Sequence, residues 1–314
     1  MHWDSINGWA IFNPTFTRTC ALQGGLQLEP LAKLGSTDLQ VSRHGFGAAR
    51  IGDGAPLDRI EALFDDLLDL GINFIDTADC YAHSEELIGR YLGTRIGEFV
   101  VATKCGCITD GEQGEVYSRP VIERSIDRSL KRMGLECLDL VFLHTCSADI
   151  LRAGEATDAL LRARDVGKVR YIGYSGDDED ALQAISMGIF DAVQVTFNIL
   201  NQTALDEVLP AAETAGLGVV AKRPIANARL LPPDSPQFHA GPYWDPIRSL
   251  LAGEGAWDDP LECSLRFTLS HPVISSAIIG TTSATHAREN ARRAQASPLS
   301  PQLLDALHEL RPED

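Results

Sequence analysis

From residue 57 onward, apolar positions return at helical spacing: Leu57, Ile60, Leu63, Phe64, Leu67 and Leu68 fall on one face of a 3.6-residue period. Gly71 follows where a helix needs a left-handed closing residue, and Ile72–Ile75 then reads as a strand. The same grammar recurs. Ser84 is placed to cap a helix carrying Leu87, Ile88 and Tyr91, ahead of the strand Phe99–Ala102. Pro120 stands in the first turn of a helix with Ile122, Ile126, Leu130 and Met133, closed by Gly134, and Leu138–Leu143 is a nearly unbroken apolar strand. Helices ending at Gly167, Gly188 and Gly216 precede strands Val169–Tyr174, Ala192–Val195 and Val219–Ala221. A late helix near Leu261–Leu269 leads to Ser276–Ile279, and a strand around Gly45–Gly47 opens the series. The pattern therefore predicts eight strand–helix units.

Continuous apolar strands alternating with amphipathic helices predict a parallel sheet covered by helices. Eight such units in about 270 residues match a closed, single-domain (β/α)8 barrel. An open, doubly wound sheet is disfavoured because its dinucleotide fingerprint is missing: Gly45-Phe46-Gly47-Ala48-Ala49-Arg50 has arginine where the third glycine belongs. Ahead of the barrel, Leu31–Leu34 and Leu39–Ser42 flank a Gly35–Asp38 turn and read as a hairpin. Residues 1–27 show no period and form an extension, leaving 28–314 as the barrel. The segment Pro224–Asp259, rich in proline and carrying Trp244 and Trp257, reads as a long functional loop after the seventh strand.

Charge narrows the partners. With 27 basic against 44 acidic residues the chain carries −17, which opposes a phosphate-binding nucleic-acid surface or a polybasic membrane contact. No run of about eighteen apolar residues predicts a membrane span. The first twenty residues lack the basic and apolar regions of a secretion signal. Seven cysteines without a CxxC pair fit reduced thiols in a cytoplasmic protein. Nothing in the pattern indicates an oligomeric state.

In a barrel of this kind reactive groups gather where strands end. Asp76 closes Asn73–Asp76, Lys104 closes Phe99–Lys104, and His144 closes Leu138–His144, while Tyr81 follows Asp76 by five residues. Together they suit proton donation to a carbonyl that accepts hydride. A free phenol, with a pKa of about 10, is a poor acid near neutrality. A neighbouring ammonium stabilises the phenolate, a carboxylate keeps that ammonium charged, and an imidazole can orient the substrate oxygen.

The run from Asn73 through Asp76-Thr77-Ala78-Asp79-Cys80-Tyr81 to Gly89 resembles the signature of the aldo-keto reductases, and the likeness extends over about Leu31 to Leu310. The resemblance implies a (β/α)8 barrel and an NADP- or NAD-dependent oxidoreductase acting on a small-molecule carbonyl or alcohol. It implies Asp76, Tyr81, Lys104 and His144 as the catalytic tetrad, with Tyr81 the acid. It further implies that Ser175 and Gln194 bind the nicotinamide carboxamide, although Gly176 stands where the family usually has asparagine. Lys222 occupies a position where an aromatic often stacks on nicotinamide, and Arg223 is placed to reach the pyrophosphate. Gly280, Thr281 and Thr282 would face the phosphates at a helix N-terminus, with Glu289 and Asn290 at the adenine. Gly280 and His286 take the positions of the basic residues that usually fix a 2′-phosphate. NADP(H) is the family expectation and NAD(H) the alternative. A zinc hydrolase built from Cys80, His83, Cys105, Cys107, His144 and Cys146 is disfavoured, because a lysine among metal ligands would be out of place. No resident metal is expected. Cys80 and Cys105 would make activity sensitive to oxidation. The other competing reading is a cofactor-binding sensor of the same fold with little turnover.

Overall fold

The computed structural model describes residues 31–109, 111–228, 246–247, 249–250 and 259–310. The N-terminal extension 1–27, Trp244, Trp257 and most of the loop after the seventh strand lie outside the described residues.

A two-stranded antiparallel hairpin, β1 (Ala32–Lys33) and β2 (Gln40–Val41), precedes eight parallel strands: β3 (His44–Gly47), β4 (Phe74–Asp76), β5 (Val100–Cys105), β6 (Leu138–His144), β7 (Val169–Ser175), β8 (Ala192–Thr196), β9 (Gly218–Lys222) and β10 (Ile274–Gly280). They close in chain order, with β10 pairing back on β3, into the expected barrel. Helices cover its outside: α1 (Leu57–Asp69), α2 (Ser84–Leu92), α3 (Arg119–Met133), α4 (Ala148–Ala153), α5 (Glu155–Asp165), α6 (Asp178–Ser186), α7 (Val208–Thr214), α8 (Pro260–Leu269), α9 (Ala284–Ala294) and α10 (Pro301–Glu309).

Residue chemistry explains the stops and starts. Gly134 closes α3 at φ 68°, a backbone conformation in which a Cβ would be strained, and donates its N–H to Leu130. On α1 the apolar stripe Ile60, Leu63, Phe64 and Leu67 is buried, each side chain contributing about 1.5–3 kcal/mol of transfer free energy. One expectation needs correcting: Ser84 does not cap α2. It is the helix's first residue and fully buried, and its hydroxyl donates to the Ala48 carbonyl at 2.8 Å and meets Thr77 Oγ1. His83, at φ 48°, takes the capping position instead. A second helix, α4, also stands between β6 and α5, closed by Gly154 at φ 82°.

Alternation along each strand divides the core in two. Outward residues such as Ile75, Val101, Val141, Val193 and Ala221 pack beneath the helices. Phe74, Ala102, Leu140, Phe142, Ala192, Val220 and Ile278 face inward and form a second cluster with Leu34, Leu39 and Val41 of the hairpin. The hairpin thus plugs the lower end of the barrel. Gly35 and Gly218 permit the approach: a Cβ on Gly35 would lie 2.1 Å from the Gly218 nitrogen.

Candidate active site

One step up each strand, the inward side chains turn polar. Asp76 follows Phe74, Lys104 follows Ala102, Gln194 follows Ala192, and Lys222 follows Val220, each two residues on and therefore on the same face. His144 and Ser175 end β6 and β7 side by side in register.

Lys104 is the pivot. Its ammonium is buried and donates to Asp76 Oδ1 at 2.8 Å, Asp76 Oδ2 at 2.7 Å and the Thr77 carbonyl at 2.7 Å. It also lies 5.0 Å from the centre of the Tyr81 ring. Burial alone would lower the lysine pKa, but the charge of Asp76 and its hydrogen bonds, with Tyr81 contributing, raise it above the usual value, so Lys104 stays charged. Asp76 accepts in turn from Gln194 Nε2 at 2.7 Å, and Gln194 Oε1 accepts from the Ser175 hydroxyl at 2.8 Å. Ser175, Gln194, Asp76 and Lys104 therefore form one continuous hydrogen-bonded chain across the barrel.

Tyr81 stands against the fourth group. Its ring meets His144 edge-on, with centroids 5.9 Å apart and planes at 86°. Burial pushes the phenol's pKa upward, and the Lys104 charge, acting the other way, does not cancel that effect. The lysine was expected to make the phenol more acidic; its pull has that sign, but desolvation outweighs it. The phenol thus stays protonated through the neutral range. His144 faces two thiols, with Nδ1 3.6 Å from Cys80 Sγ and 3.5 Å from Cys107 Sγ. Its carbonyl accepts from the Tyr117 hydroxyl at 2.7 Å, and Thr145 follows at φ 63°. His83 at φ 48°, Tyr117 at φ 61° and Arg223 at φ 58° are further non-glycine residues that carry left-handed strain around this rim.

The cysteines need regrouping. Cys105, expected beside the site, is buried among the helix-facing residues, and burial pushes its thiol well above the ordinary range. Cys146 is fully buried, with its thiol pushed up to about 12, also by burial. Cys107 takes the place expected of Cys105. A hydrogen bond from Cys80 lowers the pKa of Cys107, whereas the same bond, followed by burial, raises that of Cys80.

A turn held from behind sets the position of Tyr81. Asp79, fully buried, accepts from Ser125 Oγ and, at 2.6 Å, from Arg128 Nη2. Arg132 Nη1 donates to the Asp79 carbonyl at 2.7 Å and to Glu85 Oε2 at 3.2 Å. These positioning residues escaped the sequence reading. A signal existed: Ser125 and Ser129 sit on the apolar stripe of α3, with Arg128 and Arg132 at i+3 from each.

The residues expected at the cofactor divide into two groups. Gln194 bonds Asp76, and Ser175 reaches it through Gln194. Lys222 Nζ pairs with Asp177 Oδ2 at 3.2 Å, and burial lowers its pKa. Arg223 Nη1 donates to Thr196 Oγ1 at 3.1 Å, so both are built into the rim. The Asp177 carboxylate also accepts from the Thr196 amide at 2.6 Å and hydroxyl at 3.0 Å. At the end of β10, Thr281 Oγ1 accepts from the Ser283 amide at 3.1 Å, and Ser283 Oγ from the His286 amide at 3.4 Å, opening α9. Thr282 is half-buried between them, and Gly280 is exposed opposite Gly47. Asn290 Oδ1 accepts from Arg293 at 2.9 Å, and Glu289 lies 3.9 Å from the same guanidinium.

Gly176 has a steric cause. A Cβ there would lie 2.2 Å from the Tyr174 hydroxyl, which itself donates to the Cys146 carbonyl at 2.6 Å. An asparagine cannot stand at 176 while Tyr174 keeps this bond.

The Aldo/keto reductase family model matches residues 44–312. The chain belongs to the aldo/keto reductase family. L-galactose dehydrogenase of Arabidopsis thaliana is 29% identical over 278 residues, covering 83% of this chain and 86% of that protein. An NADH-specific methylglyoxal reductase of Escherichia coli is 29% identical over 222 residues, 63% of this chain and 68% of that one. Among solved structures, the holo form of an aldo-keto reductase from Bacillus halodurans superposes with a TM-score of 0.78 at 26% identity, covering 90% of this chain and 97% of that one. This aldo-keto reductase is thus an oxidoreductase. Among the described residues no helix is long and apolar enough to cross a membrane.

Proposed function

We propose that this aldo-keto reductase interconverts a small-molecule carbonyl and an alcohol by hydride transfer with a nicotinamide dinucleotide, Tyr81 serving as the general acid. The observation that carries the reading is the buried Lys104 ammonium, held by both oxygens of Asp76 and set 5.0 Å from the Tyr81 ring.

The residues fit such a cofactor. Gly47 and Gly280 end neighbouring strands without side chains, and a Cβ on Gly280 would fill the gap 3.0 Å from the Gly47 carbonyl. This leaves bare backbone beside the first turn of α9, where amide groups favour phosphate. Gln194 keeps one N–H and one lone pair after bonding Asp76 and Ser175, enough to meet a carboxamide. Lys222 and Arg223 line the same side as cations. When bound, the nicotinamide supplies or accepts the hydride.

In the reducing direction, Tyr81 gives its proton to the carbonyl oxygen as negative charge develops there. Lys104 stabilises the resulting phenolate, and His144, edge-on to the Tyr81 ring, orients the oxygen. Asp76 holds Lys104 charged in a site that would otherwise favour the neutral amine. The −17 charge supports a small-molecule partner over nucleic acid or an anionic membrane.

NADP(H) is the family expectation, but one observation favours NAD(H). On α9, Arg288 pairs with Asp66, while Arg292 and Arg293 pair with Asp259, leaving the helix's guanidiniums committed to carboxylates rather than to a 2′-phosphate. Fluorescence titration with NADPH and NADH, followed by a carbonyl and aldose panel with the tighter binder, tests both points. Tighter binding of NADPH overturns the NAD(H) preference. The closed position at Gly176 favours a second reading, a cofactor-binding sensor. That reading gains if the dinucleotide binds and no member of the panel turns over.

A further inference from the structure

We propose that Cys80, Cys107 and His144 form a binding site for a thiophilic divalent cation, zinc above all, and that occupation of this site stops turnover. The three ligand atoms come from three separate segments: the turn before Tyr81, the chain just beyond β5, and the end of β6. They lie within 4.8 Å of one another, and no other cluster of this kind occurs among the described residues. The spacing matches a coordination polyhedron. With Zn–S near 2.3 Å and Zn–N near 2.05 Å, a tetrahedral centre requires S···N edges of about 3.5 Å. The observed edges are 3.5 Å from Cys107 and 3.6 Å from Cys80.

The ligand set selects the metal. Two thiolates and an imidazole suit zinc and other soft ions, and disfavour magnesium or calcium, which take oxygen. The imidazole is already oriented, because Tyr117 fixes the His144 carbonyl and the edge-on Tyr81 ring fixes the plane of the imidazole. Cys80 is exposed and Cys107 half-buried, so an ion reaches them from solvent and water completes the fourth position. Binding converts two thiols into two metal-bound thiolates and releases two protons, and the metal undergoes no change of oxidation state. Inhibition follows from position. Cys80 is the neighbour of Tyr81 in the chain and His144 meets the Tyr81 ring edge-on, so an ion held between them stands beside that ring. It commits the imidazole that the proposed reaction needs to orient the substrate oxygen. Only this inhibitory half rests on the proposed function.

The test uses the full chain, kept reduced with a phosphine. Cobalt(II) is titrated first, because thiolate ligation gives a charge-transfer band in the near ultraviolet; zinc then displaces it. One equivalent of cobalt with a thiolate band is expected. Loss of an outer-shell partner already weakens metal binding about 10–100-fold, so C80S and C107S should each weaken it by about 100-fold or more. C137S, at a distant thiol, should leave it unchanged. Thermal melts of each variant confirm that it is folded. Absence of a thiolate band in the wild-type protein, or its persistence in both C80S and C107S, overturns the site. If zinc binds as described and the reduction rate is unaffected at saturation, the inhibitory half falls. A protein that turns over no carbonyl with or without metal defeats the reductase reading, while the cobalt titration still decides the site.

Discussion

The barrel's inward face changes character over a step of two residues on six of its eight strands. Phe74, Ala102, Phe142, Gly173, Ala192 and Val220 look into the lower end, and Asp76, Lys104, His144, Ser175, Gln194 and Lys222 into the upper. The lower layer is sealed by Leu34, Leu39 and Val41 from the hairpin and needs no specific partners, only volume. The upper layer consists of groups that would each be costly to bury alone, made tolerable by bonding to one another. Positive φ at His83, Thr145 and Arg223 also belongs to the upper end. One end therefore supplies stability and the other spends it, and substitutions at the two ends should separate activity from stability.

The largest separation is expected at Tyr81. Y81F removes the proton donor but keeps the ring against His144, so kcat/KM for carbonyl reduction should fall about 10²–10⁴-fold. The melting temperature and dinucleotide affinity should hardly move. Because burial raises the phenol's pKa, the protonated form required for reduction persists below it. Reduction by the wild type should therefore hold through the neutral range and decline only as pH climbs past about 10. A pH–rate profile that falls between pH 6 and 8 would point to a different acid.

The mirror experiment is L34A in the hairpin plug. Leu34 is fully buried, and its loss should cost about 2–5 kcal/mol in urea unfolding. Activity at 25 °C should change less than about twofold, because no polar group of the mouth touches Leu34. A large loss of kcat in a folded L34A protein would mean that the two layers are not separable.

His44, at the start of β3, gives the lower end its own pH dependence. The imidazole lines a cavity of about 30 Å³ in which Arg43 is the one charged residue, and its pKa is lowered to about 4 by burial. The unfolded chain takes up a proton near pH 6.5, whereas the folded chain resists until about 4, so acid favours unfolding across that window. Stability is complete above pH 6.5 and should decline by about 3 kcal/mol, as an upper figure, on approaching pH 4. Chemical denaturation at pH 7.5 and pH 4.5 measures this, and H44L should flatten the difference. An unchanged slope in H44L would assign the acid sensitivity to another group.

Why the upper end was only partly legible in the sequence follows from the same contrast. Apolar strands, helical stripes and closing glycines such as Gly71 and Gly134 are local signals, and each strand was found within about three residues of its observed ends. The run Asn73–Gly89 exposed Asp76 and Tyr81, and strand order supplied Lys104 and His144. Contacts between distant segments leave no periodic trace. The reading therefore assigned a site role to Cys105, although one residue's change in strand parity sends its side chain outward and leaves Cys107 at His144. The Arg128–Asp79 clamp and the closure of Gly176 by Tyr174 were hidden for the same reason: each is a three-dimensional fit between residues unremarkable by themselves.

The smallest effect should come from Arg50, just beyond β3. Its side chain is 83% exposed and meets Asp53, at 3.4 Å. Such a pair is screened by solvent, so R50A should alter stability by no more than about 0.5 kcal/mol. Its bearing on the substrate is read separately, as KM for an anionic against a neutral carbonyl at two salt concentrations. If Arg50 faces the entering substrate, R50A raises KM for the anion alone, and added salt abolishes the difference. Equal KM changes for both substrates would remove Arg50 from the mouth and shift attention to Lys222 and Arg223 at the end of β9, two strands away.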